Sequence, residues 1–325
     1  MERRGYRLEP EGNDYMNKRE RKAEKDSFAV ALTEFVRGLG DYVSTEDGQW
    51  TVKGFIDVFK NVYTISSDTK IVSKILEIHL FPKILQFAQD NGYSIVLAEH
   101  QNWYPDLSFV KKNNQAVKFA VDLKTTYRNP DYPDHVNGFT LGSHGEYFKE
   151  RSSTKNIQFP YADYFGHFCL GIIYTRTAVK EVDETEVIQV KEIQDAEALE
   201  PPHRYRVSSV DTLRSITSVV RGFQFFVCEK WRLASDKPGS GNTANIGSIT
   251  CIRDVLAGNG VFAQLGEKWF DEYWMNHGNL SQIKKGKATK IRSLADFLDF
   301  KRGDKSKIVA MKMKKKMKVG DEPCE

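Results

Sequence analysis

The sequence predicts an α/β domain in which helices flank a mixed β-sheet. Segments with a helical spacing of apolar residues alternate with short apolar runs that are typical of strands. Strands interleaved with helices indicate this fold class. The predicted helices cover residues 28–39, 67–91, 161–168 and 268–276, and the predicted strands cover residues 93–98, 107–110, 119–125, 170–175 and 223–228.

The second helix carries the clearest local signals. Ser67 or Asp68 can cap its N-terminus, and Gly92 suits its C-terminus. Pro82 is expected to kink or divide it, because proline lacks the N–H group that a helix interior uses. The first helix is shorter and ends at Gly40. The apolar face of the second helix consists of Val72, Ile75, Leu76 and Leu80.

The chain of 325 residues is long enough for one large domain or two smaller ones. Residues 1–26 are highly charged with few apolar side chains, which predicts a flexible extension. Residues 27–300 are predicted to form the folded domain, with a polar, partly ordered insertion at about 180–222. Residues 301–325 form a basic tail, read as a solvated end or as a non-specific attractor of phosphate.

The composition fits a soluble intracellular protein. There are 48 Lys and Arg against 44 Asp and Glu, a net charge of +4, so any strongly positive surface must be local. No apolar run could span a bilayer, and the N-terminus lacks a signal peptide's apolar core, which predicts a cytoplasmic location. The cysteines show no metal-binding spacing and are expected to be reduced thiols: Cys169, Cys228, Cys251 and Cys324.

The most informative stretch is residues 102–127. Its middle, residues 111–115, is a polar turn between two alternating apolar runs, which predicts a β-hairpin. The predicted register pairs apolar residues on one face, with Leu107 opposite Val121 and Phe109 opposite Phe119.

The same register gathers charged side chains on the other face of this hairpin. Asp106 falls opposite Asp122, and Lys124 points the same way because side chains alternate along a strand. Two carboxylates at facing positions, ~5 Å apart between Cβ atoms, repel by roughly 3 kcal/mol at an effective dielectric constant of about 20. A hard cation such as Mg²⁺ relieves that repulsion. A lone Asp-x-Lys is an ordinary strand end, but the Pro-Asp at this spacing favours metal-assisted phosphodiester hydrolysis.

Further motifs occur in order between about residue 60 and about residue 290. They are SDTKIVSKILE at 67–77, HQNWYPD at 100–106, DLKTTYRN at 122–129, FTLG at 139–142, TKNI at 154–157, YTR at 174–176 and GSGNTANIGS at 239–248. Together with the Pro-Asp and Asp-x-Lys spacing, they resemble the EcoRV-type restriction endonucleases of the PD-(D/E)xK superfamily. The resemblance implies a restriction-endonuclease-like fold and a Mg²⁺-dependent homodimer. It further implies blunt cutting of double-stranded DNA at GATATC and a cognate DNA methyltransferase as companion.

The resemblance also implies roles for individual residues. It makes Glu77 a further acidic group near the metal that Asp106 and Asp122 would hold, although an exposed helical glutamate is an open alternative. Two substitutions stand out: Ala244 replaces a threonine of the relatives, and His100 replaces a glutamine. The implied DNA contacts are Thr69, Lys70, Thr125, Thr126 and Lys155, a minor-groove loop of His100, Gln101 and Asn102, and a recognition loop of Gly239, Ser240, Gly241, Asn242, Thr243 and Asn245.

The recognition loop also has a rationale from its residue types. Its glycines permit close approach of the backbone, asparagine can bond adenine, and a threonine methyl can contact thymine. An ordinary flexible turn is the alternative. Two other functions stay open at this stage: a repair or junction-resolving nuclease on the same fold, and a DNA-binding protein without catalysis.

Overall fold

The structure of this chain, a computed structural model, describes residues 18–100, 102–191, 205–209, 213, 216–239, 244–284, 287–312 and 314. The helices are α1 (Lys18–Arg37), α2 (Leu39–Val43), α3 (Thr69–Asp90), α4 (Glu146–Lys149), α5 (Lys230–Leu233), α6 (Ile252–Ala257), α7 (Glu267–Asn276) and α8 (Leu294–Lys301). The first eight strands are β1 (Gly54–Ile56), β2 (Asn61–Thr64), β3 (Tyr93–Leu97), β4 (Leu107–Lys111), β5 (Lys118–Asn129), β6 (Tyr132–Val136), β7 (Thr140–Ser143) and β8 (Tyr164–Arg176). The others are β9 (Val187–Lys191), β10 (Tyr205–Ser209), β11 (Val220–Glu229), β12 (Ala234–Pro238), β13 (Asn245–Ser248), β14 (Ser281–Lys284) and β15 (Lys287–Lys290).

The predicted mixed sheet is confirmed. Its strand order is β11-β8-β5-β4-β3, and β6 pairs with β5 off this path. Strands β5 and β8 run parallel, whereas the other neighbours in this sheet are antiparallel. The longest described strands, β5 and β8, therefore form the rigid centre that carries the charged hairpin.

Both faces of this sheet are covered by apolar layers. On one face, the Phe28 ring of α1 stacks on Phe119 of β5, with centroids 4.1 Å apart. Phe87 of α3 packs edge-on against the same Phe28 ring. On the opposite face, Ala120 and Cys169 belong to a second core that includes residues of α5, α7 and α8. The α/β layering follows from these two buried surfaces.

The predicted helix at residues 161–168 is wrong. Only Tyr161–Asp163 forms a short 3₁₀ turn, and β8 begins at Tyr164. Strand β8 lies between β5 and β11 and is buried along most of its length. A strand covered on both faces is apolar at consecutive positions, so it lacks the alternation that distinguishes a strand from a buried helix.

The predicted second helix is confirmed as α3. The Asp68 carboxylate accepts hydrogen bonds from the backbone N–H groups of Lys70 and Ile71, which caps the N-terminus. Pro82 lies inside α3 and does not divide it. The loss of one hydrogen bond is offset by the buried face that α3 packs on the sheet, formed by Val72, Ile75, Leu76, Leu80, Ile84, Phe87 and Ala88.

The folded chain begins earlier than predicted. Helix α1 starts at Lys18, so the last part of the expected flexible extension is helical. Arg21 donates to the carbonyl oxygens of Ala162 and Tyr164, and Lys25 pairs with Glu229 at 2.7 Å. A high density of charged residues favours disorder, but here Arg21 and Lys25 bond groups of the folded domain. Residues 1–17 lie outside the described residues.

The insertion and the tail each contribute described segments. Strands β9 and β10, within residues 180–222, extend β1 and β2 into a separate four-stranded sheet. In the tail, the Lys312 ammonium pairs with Asp134 at 2.5 Å, so this part of the tail lies against the domain. Strands β12, β13 and β7 form a third sheet, beside the charged hairpin.

Candidate active site

The β4–β5 hairpin has the predicted register. The paired residues are Leu107 with Val121, Ser108 with Ala120, Phe109 with Phe119 and Val110 with Lys118. The apolar pairs face the core beneath α1 and α3. Because the side-chain period of a strand is two residues, the charged side chains must emerge on the opposite face.

Asp106, Asp122 and Lys124 come together on that face as predicted. The Lys124 ammonium lies 3.0 Å from Oδ2 of Asp122. The Asp106 backbone N–H donates to Oδ1 of Asp122 at 3.2 Å, and the Leu123 N–H donates to Oδ2 of Asp106 at 2.8 Å. Each carboxylate is thus held by a backbone group of the facing strand. The backbone pairing of the hairpin therefore helps to fix the positions of both carboxylates.

The electrostatics of the site reflect two like charges held close together. Loss of hydration and, second, the neighbouring Asp122 charge together raise the pKa of Asp106 to about 6, although the Asp106 side chain keeps solvent contact. The Lys124 charge and the Leu123 N–H oppose this shift. Burial lowers the pKa of Lys124, but the charges of Asp122 and Asp106 outweigh burial and leave that pKa above its ordinary value.

The three charged groups line an open cleft with a volume of about 500 Å³. The cleft is also lined by three residues that were predicted to contact DNA, namely Asn102, Lys155 and Asn245. Its remaining walls are Trp103, Tyr104, Gly142, Ser143, Gly145, Glu146, Tyr147 and Asn156. An acidic pair in an open, polar cleft is suited to hold a cation, and a cation there would attract an anionic substrate.

Comparison with known proteins decides the family. The model of the family described as restriction endonuclease EcoRV matches residues 46–200 and 198–302. The chain is 31% identical over 254 residues to the type II restriction enzyme EcoRV of Escherichia coli, which covers 78% of this chain and 93% of that protein. This chain belongs to the EcoRV family. It is accordingly a type II restriction endonuclease, a hydrolase acting on DNA, with the restriction-endonuclease-like fold that was predicted.

The family assignment disfavours the two alternative functions that the sequence left open, a repair or junction-resolving nuclease and an inactive DNA-binding protein. In the part of the chain that the structure describes, no helix is long and apolar enough to cross a membrane.

Glu77, predicted as a third acidic group of the EcoRV-type site, lies on α3. It forms an ion pair with Lys74 at 2.8 Å, and its charge still makes a small contribution to the raised pKa of Asp106. Among the described residues, no group of three or more His, Cys, Asp and Glu side chains is gathered closely enough to hold a metal. The metal role of Glu77 stays a prediction.

The residues predicted to contact the DNA backbone differ in their accessibility. Lys70 is exposed and Thr69 is half-buried in the first turn of α3. Thr125 is half-buried on β5, whereas Thr126 is only 3% exposed and its hydroxyl donates to the Asn137 carbonyl oxygen. A DNA contact by Thr126 would require that internal hydrogen bond to break.

Lys155 lies at the rim of the cleft on an exposed loop. Its ammonium pairs with Glu146 at 2.7 Å, which raises the pKa of Lys155. Both side chains are more than half exposed, so this ion pair is weak and exchangeable. Lys155 can therefore leave Glu146 for a phosphate group without a large cost.

The recognition loop predicted for the EcoRV family is held at both ends. Strands β12 and β13 pair antiparallel, and the Gly239 N–H donates to the Asn245 carbonyl oxygen at 2.8 Å. A Cβ atom on Gly239 would lie 2.7 Å from Cγ2 of Thr140, so a larger residue here would require the Thr140 side chain to shift. The intervening predicted contacts, Ser240, Gly241, Asn242 and Thr243, lie outside the described residues.

The second predicted loop directly precedes the β4–β5 hairpin in the chain. The exposed His100 ring packs edge-on against Trp103, with centroids 4.7 Å apart. Asn102 is exposed and lines the cleft. Gln101 lies outside the described residues.

Several site residues were not predicted from the sequence. Tyr104 and Tyr147 stack in the cleft wall with centroids 5.5 Å apart, and Gly142 of β7 packs against both. Gly142 and Tyr104 lie in the motifs FTLG and HQNWYPD, but neither was given a role, and Tyr147 lies in none of the quoted motifs. Lys230 lies behind the same wall and carried no sequence signal.

Proposed function

We propose that this endonuclease hydrolyses phosphodiester bonds of double-stranded DNA in the cleft of Asp106, Asp122 and Lys124. We further propose that it requires Mg²⁺, acts as a homodimer and cuts GATATC with blunt ends. The observation that supports the hydrolytic site is the convergence of two carboxylates and one ammonium on a single face of a rigid hairpin.

The donor set of this cleft suits Mg²⁺. Asp106 and Asp122 present carboxylate oxygens, the ligand type that Mg²⁺ prefers, and no soft sulfur ligand lines the cleft among the described residues. The raised pKa of Asp106 reflects a repulsion that a cation would relieve. Asp106 and Asp122 would hold the ion, with Glu77 as a further candidate. When bound, Mg²⁺ supplies a Lewis acid for the phosphate and a water of lowered pKa.

Lys124 contributes a fixed positive charge beside the carboxylates. Its pKa lies above the ordinary value, so its ammonium stays protonated at every pH at which DNA is a substrate. One N–H group is directed to Asp122, and an ammonium has two more to offer. These can stabilise negative charge that develops on the phosphate or can orient a water molecule.

Sequence readout is assigned to the loops that flank the cleft. The recognition loop between Gly239 and Asn245 offers asparagine and threonine side chains, which suit adenine and thymine in the major groove. A central TA step is easily kinked, so its deformation would add specificity. If the enzyme recognises a DNA sequence other than GATATC, we expect the substitutions at Ala244 and His100 to cause the difference.

An exposed apolar surface supports a homodimer. Four residues on and between β1 and β2 are largely solvent-exposed: Phe55 at 54%, Ile56 at 64%, Val58 at 90% and Phe59 at 76%. Several large apolar side chains exposed in one short segment are typical of an interaction surface. A second copy would cover it, and the twofold symmetry of a dimer matches a palindromic site. A cytoplasmic location and a companion methyltransferase that protects the host DNA complete the proposal.

The direct test is digestion of a plasmid of known sequence by the purified protein, with Mg²⁺ or with EDTA, followed by sequencing of the ends. We expect blunt ends within GATATC and only with Mg²⁺. Discrete ends at another palindrome would keep the enzyme and contradict the specificity. Cutting in EDTA would contradict the metal site.

We predict that Asp122→Ala abolishes cutting and leaves DNA binding, because it removes a metal ligand without removing a DNA contact. Gel-shift and cleavage assays on the same duplex measure the two properties. Asp183→Ala is the matched control, since Asp183 is an exposed aspartate of the insertion whose carboxylate accepts hydrogen bonds from the backbone N–H and the hydroxyl of Thr185. Cleavage by Asp122→Ala at the unaltered rate would show that the metal site is placed wrongly.

A further inference from the structure

Lys230 is a buried lysine that the proposed hydrolysis does not use. It begins α5, and only 2% of its surface is exposed. Among the described residues, its Nζ atom has no hydrogen-bond partner. A buried, unpaired ammonium is unfavourable because it loses its hydration. Other groups around Lys230 must therefore stabilise its buried ammonium.

Aromatic rings replace part of the lost hydration. The Lys230 ammonium lies 4.4 Å from the centroid of the Tyr104 ring and 5.5 Å from those of Phe148 and Tyr161. Such faces attract a cation through the ring quadrupole. The rings do not fully compensate for the lost hydration of the ammonium, because burial still lowers the pKa of Lys230 to about 8. At neutral pH the side chain nevertheless carries its positive charge.

The position of Lys230 places this charge directly behind the cleft. Tyr104 lines the cleft and stands two residues before Asp106. A Cβ atom on Gly142, another cleft residue, would lie 3.5 Å from the Lys230 Nζ atom. One wall of side chains thus separates the buried ammonium from the metal-binding carboxylates.

The charges of the cleft and of Lys230 interact. The Asp122 carboxylate favours the charged form of Lys230, whereas Lys124 and Arg151 oppose it. Two carboxylates and the Lys124 ammonium leave one net negative charge in the cleft. The Lys230 ammonium cancels that charge across a medium of low dielectric constant.

We propose that Lys230 is a positioning residue that acts through Asp122: its buried charge keeps the metal-free cleft near neutrality, so that a divalent cation binds firmly only when a DNA phosphate adds its negative charge. The inference rests on the proposed function, because it assigns the carboxylates to a divalent cation. It adds a residue outside the cleft that couples cation binding to substrate binding.

The test measures Mn²⁺ binding to the DNA-free protein at about pH 7, from the electron paramagnetic resonance signal of the free ion. We expect Lys230→Met to bind Mn²⁺ about tenfold more tightly than the unaltered protein, because one like charge near the ion is gone. Lys230→Gln, neutral but different in shape, is expected to show the same gain. Lys268→Met is the control, since the Lys268 side chain is 87% exposed on α7.

Adding Asp122→Ala to Lys230→Met is expected to remove the gain, which places the ion at the carboxylates. Thermal melting of Lys230→Met is expected at or above the melting temperature of the unaltered protein, because methionine suits an aromatic cage without a desolvated charge. Unchanged or weaker Mn²⁺ binding in both neutral variants would overturn the proposal. A lower melting temperature with unchanged Mn²⁺ binding would assign Lys230 a structural role instead.

The titration contains no DNA and no cleavage step, so the two proposals fail separately. An unaltered protein that cuts no duplex would refute the proposed function, whatever the Mn²⁺ titration shows. An unaltered protein that cuts GATATC, with neutral variants that bind Mn²⁺ no more tightly, would refute only the role of Lys230.

Discussion

Single residues in this site are held in arrangements that favour function at the expense of stability. Asp106 and Asp122 share one face of a hairpin, and a backbone N–H group across the hairpin donates a hydrogen bond to each carboxylate. The cost appears as the raised pKa of Asp106. Perturbed carboxylates in a cleft are typical of functional sites, since a stable fold alone would not select them.

We predict that Asp106→Asn stabilises the fold and abolishes cutting. The pKa of Asp106 is raised from 3.8 to about 6, so ionisation is less favourable in the folded state than in the unfolded one. Stability from this group is therefore fully present below about pH 4 and is lost as the pH rises through about 6. Asparagine still accepts from the Leu123 N–H but carries no charge.

Urea unfolding of both proteins between pH 3.5 and 8 measures this difference. The free energy of unfolding of Asp106→Asn is expected to match that of the unaltered protein at the acid end, to exceed it increasingly between about pH 4 and 6, and to stay above it at higher pH. A difference that is the same at every pH would show that the charge of Asp106 is not its cause.

Among the elements, β7 controls the shape of the cleft through its backbone. Gly142 has φ of +83°, a conformation that L-residues rarely adopt. A Cβ atom there would also lie 3.2 Å from the Tyr147 hydroxyl and 3.7 Å from the Tyr104 ring. The FTLG motif therefore requires glycine for both its conformation and its close packing.

We predict that Gly142→Ala lowers the free energy of unfolding by about 1–3 kcal/mol, because it strains the backbone and crowds the cleft wall. Gly40→Ala is the matched control. Gly40 lies in α2 at a negative φ, with nothing within 4 Å of an added Cβ atom, so alanine there should stabilise by about 0.5–1 kcal/mol. Urea unfolding of both variants measures the contrast. Equal effects at the two positions would contradict the assignment.

At the scale of the whole molecule, three of the sheets carry different functional features. The central mixed sheet carries the charged hairpin, and the β12-β13-β7 sheet holds the base of the recognition loop beside it. The β1-β2-β9-β10 sheet presents the exposed apolar side chains. The proposed catalytic site, the proposed recognition loop and the proposed dimer surface therefore lie on different sheets.

We predict that Val58→Asp converts a dimer into a monomer and abolishes cutting of GATATC, because it places a charge in the apolar contact of the dimer. Sedimentation velocity at matched concentrations measures the oligomeric state. Ile283→Asp is the control, since Ile283 is also exposed, at 80%, but lies on the β14–β15 hairpin. A monomeric unaltered protein would contradict the proposed dimer.

The sequence by itself determined the features that depend on local period and residue type. The alternation of apolar residues settled the β4–β5 register, and with it the meeting of Asp106 and Asp122, because a shift by one residue would expose the core face. The capping aspartate and the apolar stripe likewise determined α3. Each of these features is specified by residues that are close together in the sequence.

Only the tertiary structure decided the features that depend on distant partners. The start of strand β8 falls in a predicted helix, because burial on both faces removes the alternation of apolar and polar residues that is typical of a strand. The charged start of α1 is ordered by groups more than 80 residues away in the chain: a carbonyl oxygen of Ala162, the Glu229 carboxylate and the Lys111 ammonium. Lys230 resembled any surface lysine in the sequence. Its burial behind the cleft comes from rings supplied by separate segments, a property that no local pattern encodes.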